Sequence, residues 1–121
     1  MIKIPISVGE LIDKITILHI KTLHSNNEYI HKELKKLTQI AKDNDVFKPN
    51  YIFELSVVNQ QLWDVEEKIR KKESAQEFDQ EFIDLSRTIY KTNDLRAEIK
   101  RKINEETGSK YKEIKLYDQT P

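Results

Sequence analysis

Residues 51–69 read YIFELSVVNQQLWDVEEKI, and within them Tyr51, Leu55, Val58, Leu62, Val65 and Ile69 recur at intervals of four, three, four, three and four. Those intervals set all six side chains on one edge of an α-helix, the edge by which helices pack side by side in coiled-coil fashion. Carried past Ile69, the same edge would bring Lys72, Gln76 and Asp79 inward, whereas the next apolar series is Phe78, Phe82, Leu85 and Ile89. The phase therefore breaks. A second helix is expected to begin near Ala75, behind the Ser74-to-Glu77 capping spacing, and to fold back antiparallel on the first. Ile99 and Ile103 extend it to about Thr107, and Gly108 suits the left-handed turn that closes many helices. The chain reads as all-α, built of antiparallel helical hairpins in a coiled-coil-like bundle.

Upstream, Ser7-Val8-Gly9-Glu10 has the Ser-x-x-Glu spacing of a capping box, so a helix is expected from Val8 to about His24. A second box, Ser25-Asn26-Asn27-Glu28, precedes Ile30, Leu34, Leu37 and Ala41 and predicts a helix over about 27–43. A kinked continuation of the preceding helix fits these residues almost as well. The polar stretch from Asp43 to Asn50, with Pro49, has no helical period and reads as a connecting loop. At the chain ends, Ile2, Ile4 and Ile6 alternate like a short strand that Pro5 confines to a sheet edge, and Tyr111 to Tyr117 reads extended. These two ends are expected to form a small β element.

A length of 121 residues fits one domain, residues 1–121. Apolar residues reach 37% and charged residues 35%, against roughly 45 to 50% and 25% in ordinary domains. Narrow apolar stripes on exposed helices produce that balance. Stripes so narrow leave little core for a monomer, so a homodimer is expected. Lysine plus arginine equals aspartate plus glutamate at 21 each, which gives no general attraction for nucleic acid. No cysteine occurs, removing disulfides, thiolate metal sites and cysteine nucleophiles together. Without a secretion signal or an apolar run long enough to span a bilayer, the chain is read as cytoplasmic with no membrane partner. Two glycines leave no phosphate-cradling loop, and no cofactor is expected.

Beside the seam of the third helix lie Asn59, Trp63, Glu66, Arg70 and Glu73, again at four, three, four and three. The fourth helix carries Arg87, Tyr90, Asn93, Asp94 and Lys100. A hairpin turning near Gln76 would bring Asn59 level with Asn93, and Glu66 level with Arg87. The set reads either as a polar recess that holds a small ligand or as an ion-paired network that fixes hairpin register. Asp64 with Glu67, and Glu81 with Asp84, each place two carboxylates one helical turn apart. Facing acids of this kind hold divalent metals in helical bundles, and the layout resembles that of all-α nucleoside triphosphate pyrophosphatases. Both pairs lie largely off the apolar seams, where a highly charged chain gives such spacings by chance.

The fourth helix begins acidic and ends basic, as the helix dipole favours, which leaves an anion patch near Arg96 and Lys100 a lesser possibility. His19, His24 and His31 share no metal-ligand spacing and read as solvated or helix-flanking. Gly9 reads as a close-packing position against the N-terminal strand.

The segment from Ile6 through Leu18, ISVGELIDKITIL, resembles the opening signature of an uncharacterised bacterial and phage family whose domain has no known function. Val58-Asn59, Leu62-Trp63, Phe78-Asp79, Phe82-Ile83, Tyr90, Asn93-Asp94, Arg96-Ala97 and Gly108-Ser109 continue the resemblance over nearly the whole chain. Where relatives often separate helices with Asp-Pro, this chain has Ser25-Asn26-Asn27. The resemblance supplies no activity and no catalytic residue. It implies an accessory module, because relatives occur beside or fused to surface-polysaccharide glycosyltransferases. The leading expectation is a non-enzymatic interaction or scaffolding module, a homodimer that also engages a protein partner. A metal-dependent all-α nucleotide phosphohydrolase and a small-ligand-binding module are the alternatives.

Overall fold

The computed structural model describes residues 1–111. Four helices follow in order: α1 (Val8–Thr22), α2 (Glu28–Asp43), α3 (Pro49–Ser74) and α4 (Gln80–Thr107). α3 and α4 form the antiparallel hairpin, and α1 packs against each of the other three. The all-α class is thus observed, and α1 and α2 are separate helices.

Each helix starts where a side chain or a proline meets its first unpaired amides. Ser7 accepts from the Glu10 amide at 3.1 Å, as the capping box requires. Glu10 does not reach back, because its carboxylate accepts from Lys100 Nζ at 3.1 Å. For α2 the cap is Asn27, which accepts from the Tyr29 amide at 2.9 Å, while Ser25 accepts from Asn27 N one step earlier. Pro49 opens α3, a position where its missing N–H costs nothing.

The Ser74-to-Glu77 box does not start α4. α3 runs on through Ser74, Gln76 takes a left-handed φ of 57°, and Asp79 caps α4 by accepting from the Phe82 amide at 3.0 Å. Lys72 explains the difference. It stays on the α3 seam with only 16% of its side chain exposed, and it pairs with Glu77, Asp79 and Glu81 at 3.2, 2.8 and 3.2 Å. The basic residue that breaks the apolar pattern is tolerated there because the turn brings three carboxylates to it. At the far end Gly108 caps α4 with φ 64°, in the left-handed region anticipated for it.

The core sits at one end. Ile12, Ala41, Leu55 and Ile103 are wholly buried, with Leu11, Ile15 and Tyr51 around them. Full burial of each large aliphatic side chain contributes roughly 1.5 to 3 kcal/mol, so α1 is the element that closes this core. Beyond it the hairpin projects as an arm: between Gln60 and Ile99 no residue is buried. Leu62, Val65 and Ile69 from α3, with Phe82, Leu85 and Ile89 from α4, are only half-buried there.

The expected β element is not seen among the described residues, which contain no strand. Ile2 and Ile4 are 91% and 72% exposed. Segment 112–117, the partner expected for them, lies outside the described residues. The start of α1 instead meets the end of α4. The Val8 amide donates to Ser109 Oγ at 3.1 Å, and the Gly9 amide donates to Asn104 Oδ1 at 2.7 Å. α1 thereby satisfies its first two free amides on α4 and on the residue after its cap. Gly9 is consequently packed against α4, not against an N-terminal strand. A Cβ on it would fall 2.6 Å from the Lys100 carbonyl oxygen.

Candidate functional site

A charged cluster is buried where α1, α3 and α4 converge. Asp13 on α1 is fully buried. Its Oδ1 accepts from Asn59 Nδ2 on α3 and from Arg96 Nε on α4, each at 2.9 Å, and its Oδ2 accepts from a terminal nitrogen of Arg96. The two-pronged contact is the geometry that suits a guanidinium on a carboxylate. The second Asn59 amide hydrogen goes to Thr16 Oγ1 at 2.8 Å, and that hydroxyl donates to the Asp13 carbonyl at 2.8 Å. Lys100 lies 4.0 Å from Asp13 and 3.1 Å from Glu10. Asp13 and Glu10 thus face Arg96 and Lys100, and the charges within the cluster balance.

Above this floor opens a recess of about 520 Å³. Ile17 and Ile20 of α1, Leu62 and Trp63 of α3, and Asn93 and Arg96 of α4 surround it, with Asn59 at the base and Glu66, Glu67 and Arg70 at the rim. The indole of Trp63 is fixed twice. His24 stacks on it with centroids 4.6 Å apart, and its Nε1 donates to Glu67 at 2.9 Å. Asn93 Oδ1 accepts from Arg96 at 3.4 Å, which adds a third hold on the guanidinium.

The structure therefore brings together five of the residues singled out from the sequence, namely Asn59, Trp63, Glu66, Arg70 and Asn93. Arg87, Tyr90 and Asp94 are not among the lining residues. The recess lies at the foot of the arm because α1 supplies one wall, and Arg87 and Tyr90 stand nearer the hairpin turn, whereas Asp94, between Asn93 and Arg96 in sequence, falls on a different face of α4. Glu66 pairs with Arg70 one turn away at 3.2 Å, not with Arg87.

Sequence reasoning missed Asp13, Thr16, Ile17 and Ile20 as site residues and gave Arg96 a minor place. A signal was present. Gly9, Asp13, Thr16 and Ile20 are spaced four, three and four, and they put small and polar residues on one face of a helix otherwise rich in isoleucine and leucine. Ile89, Thr92, Arg96, Ile99 and Ile103 follow three, four, three and four, so Arg96 occupies an apolar register position and needs a buried partner.

The acids considered as metal ligands are taken up locally. Asp64 accepts from Gln60 at 3.0 Å, Glu67 from Trp63, Asp84 from Gln80 at 2.8 Å, and Glu81 pairs with Lys72. Among the described residues no group of three or more histidines, aspartates and glutamates gathers at metal-binding distance. No described helix is long and apolar enough to cross a membrane.

A helical chain with one buried ionic cluster beneath an open recess defines a class of fold, not an activity. Residues 2–121 match the sequence profile of the family of unknown function DUF6165, and the chain belongs to that family. Comparison with curated proteins and with solved structures returned no match.

Proposed function

We propose that this chain is a non-enzymatic interaction module that works as a homodimer, with the α3–α4 arm as its contact surface. The observation that carries the reading is the arm itself. Forty consecutive positions, 60–99, contain no buried residue, yet they carry two apolar series, Leu62, Val65 and Ile69 on α3 and Phe82, Leu85 and Ile89 on α4, that are only half-buried. Side chains that the hairpin's own packing leaves half-buried would be covered by a second hairpin laid against it, the four-helix arrangement in which such seams are buried. Ile83 adds to this argument, because it stands 47% exposed on the arm. The polar groups of the buried cluster are engaged with one another, which suits a structural role more than proton transfer.

Sedimentation analysis tests the reading. At about 100 µM, well above a micromolar dissociation constant, the chain is expected at twice its 14.4 kDa mass. Ile83→Glu should return it to the mass of one chain while leaving the helical content unchanged. A monomeric wild type at that concentration would overturn the dimer. An accessory role beside surface-polysaccharide glycosyltransferases, which the family resemblance implies, would use this same arm for a second partner.

A further inference from the structure

The floor of the recess is chemically defined from beneath. Asp13 Oδ1 holds both the Asn59 amide nitrogen and Arg96 Nε at 2.9 Å. Two donors sharing one acceptor oxygen at that distance stand roughly 5 Å apart. Asn59 is itself 95% buried, being 5% exposed, and both of its amide hydrogens are spent on Asp13 and Thr16. Its Oδ1 must then point away from the carboxylate. Among the described residues every buried side-chain oxygen and nitrogen has a partner, and no donor is recorded on this oxygen, so it is open to the recess that Asn59 lines. Arg96, beside it, shows 24% of its side chain to solvent.

An acceptor and a cationic group therefore lie next to each other in a recess whose walls include the apolar side chains of Ile17, Ile20, Leu62 and Trp63. A simple anion such as phosphate fits poorly, because Asp13 already balances Arg96 and because Glu66 and Glu67 stand at the rim. A simple cation is opposed by Arg96 and Arg70. What matches is a molecule carrying both signs a few ångströms apart and an apolar body.

We propose that the recess binds a free α-amino acid with an apolar or aromatic side chain. Its carboxylate would lie against the Arg96 guanidinium, and its ammonium would donate to Asn59 Oδ1 on the side nearer Glu66. Its side chain would rest on Ile17, Ile20, Leu62 and Trp63. A volume of about 520 Å³ accommodates the largest of these ligands. Rigid placement of the floor by Asp13 favours binding, since neither Asn59 nor Arg96 must be ordered when the ligand arrives. This site does not depend on the dimer, and its test is independent of the oligomeric state.

Trp63 is the only tryptophan, so its fluorescence reports the recess directly. The full chain would be titrated with each common L-amino acid to about 10 mM, a weak-binding limit, with calorimetry as a second readout. Nucleosides and the N-acetyl and carboxamide forms of the best ligand would serve as comparisons. A saturable response to apolar or aromatic amino acids is expected, weakened at least about tenfold when either end is blocked. Ile17→Phe, which narrows the recess and leaves Asp13, Asn59 and Arg96 themselves unaltered, should lose that affinity by calorimetry while its thermal unfolding stays near that of the wild type. No saturable binding of any amino acid, equal binding of a blocked form, preference for a nucleoside, or full affinity in a stably folded Ile17→Phe would each overturn the proposal.

Discussion

Asp13 of α1 and Arg96 of α4, separated by 83 positions in the chain, form a two-pronged ion pair whose carboxylate is fully buried. This contact decides how α1 sits on the hairpin. It places the polar floor of the recess at the boundary between the packed end of the molecule and the bare arm.

Removing one partner should therefore cost far more than removing both. Asp13→Ala leaves a guanidinium and the Asn59 amide without their acceptor, and a loss of about 3 kcal/mol or more is expected. Asp13→Leu combined with Arg96→Leu replaces the pair by apolar packing, and its stability should lie closer to that of the wild type. Urea denaturation of the single and double variants measures the difference. Equal losses in the two would show that the pair is not a unit.

Gly9 tests the contact between α1 and α4. An alanine there sets a methyl group 2.6 Å from a backbone oxygen of Lys100, and 3.0 Å from Asn104 Oδ1. Helix backbone cannot give way as a flexible side chain does, so α1 must move outward. Overpacking of this kind costs about 1 to 3 kcal/mol. Gly108→Ala meets no atom within 4 Å and carries only the strain of φ 64°. It should be milder, about 1 kcal/mol. A thermal melt that ranks the two the other way would contradict the close approach.

The hairpin turn should respond to acid and to base. Lys72 is held protonated well above its ordinary range, first by its hydrogen bond to Asp79 and then by Glu81 and Glu77. Asp79 is held below the usual carboxylate range by Lys72 and by the Phe82 amide. A lowered carboxylate stabilises the fold above its unfolded pKa, about 4, and loses that contribution as pH falls through the folded value. A raised ammonium stabilises below its unfolded pKa, about 10.4, and loses that contribution as pH rises through the folded value. The difference in melting temperature between wild type and Lys72→Met is thus expected to be greatest near neutrality and to shrink at both extremes. A difference independent of pH from acid to neutral would sink this account of the turn.

Much of this architecture was legible in the residues, and its failures have physical causes. The four-three spacing from Tyr51 to Ile69 places α3 correctly because an apolar seam leaves one packing solution. The turn before α4 was read too early because spacing alone cannot separate Ser74 from Asp79 as the cap. Three carboxylates gathered on Lys72 settle the choice, and that gathering is a tertiary contact. Alternation over Ile2 to Ile6 is a local signal only, and with Ile2 and Ile4 standing exposed no packed face supports a strand there. Asn59, Trp63, Glu66, Arg70 and Asn93 were found because helical spacing displays a shared face. Asp13 was passed over because its partners Asn59 and Arg96 lie 46 and 83 positions away.

The clasp between the start of α1 and the end of α4 also sets where the molecule can be held. Val8 and Ser109 are joined by a hydrogen bond at one extremity, while the α3–α4 turn lies the length of a 28-residue helix away, about 40 Å. A domain or surface tether spliced in beside either of those two residues would start from the same point and leave the hairpin tip at full reach, like a boom pinned at its base.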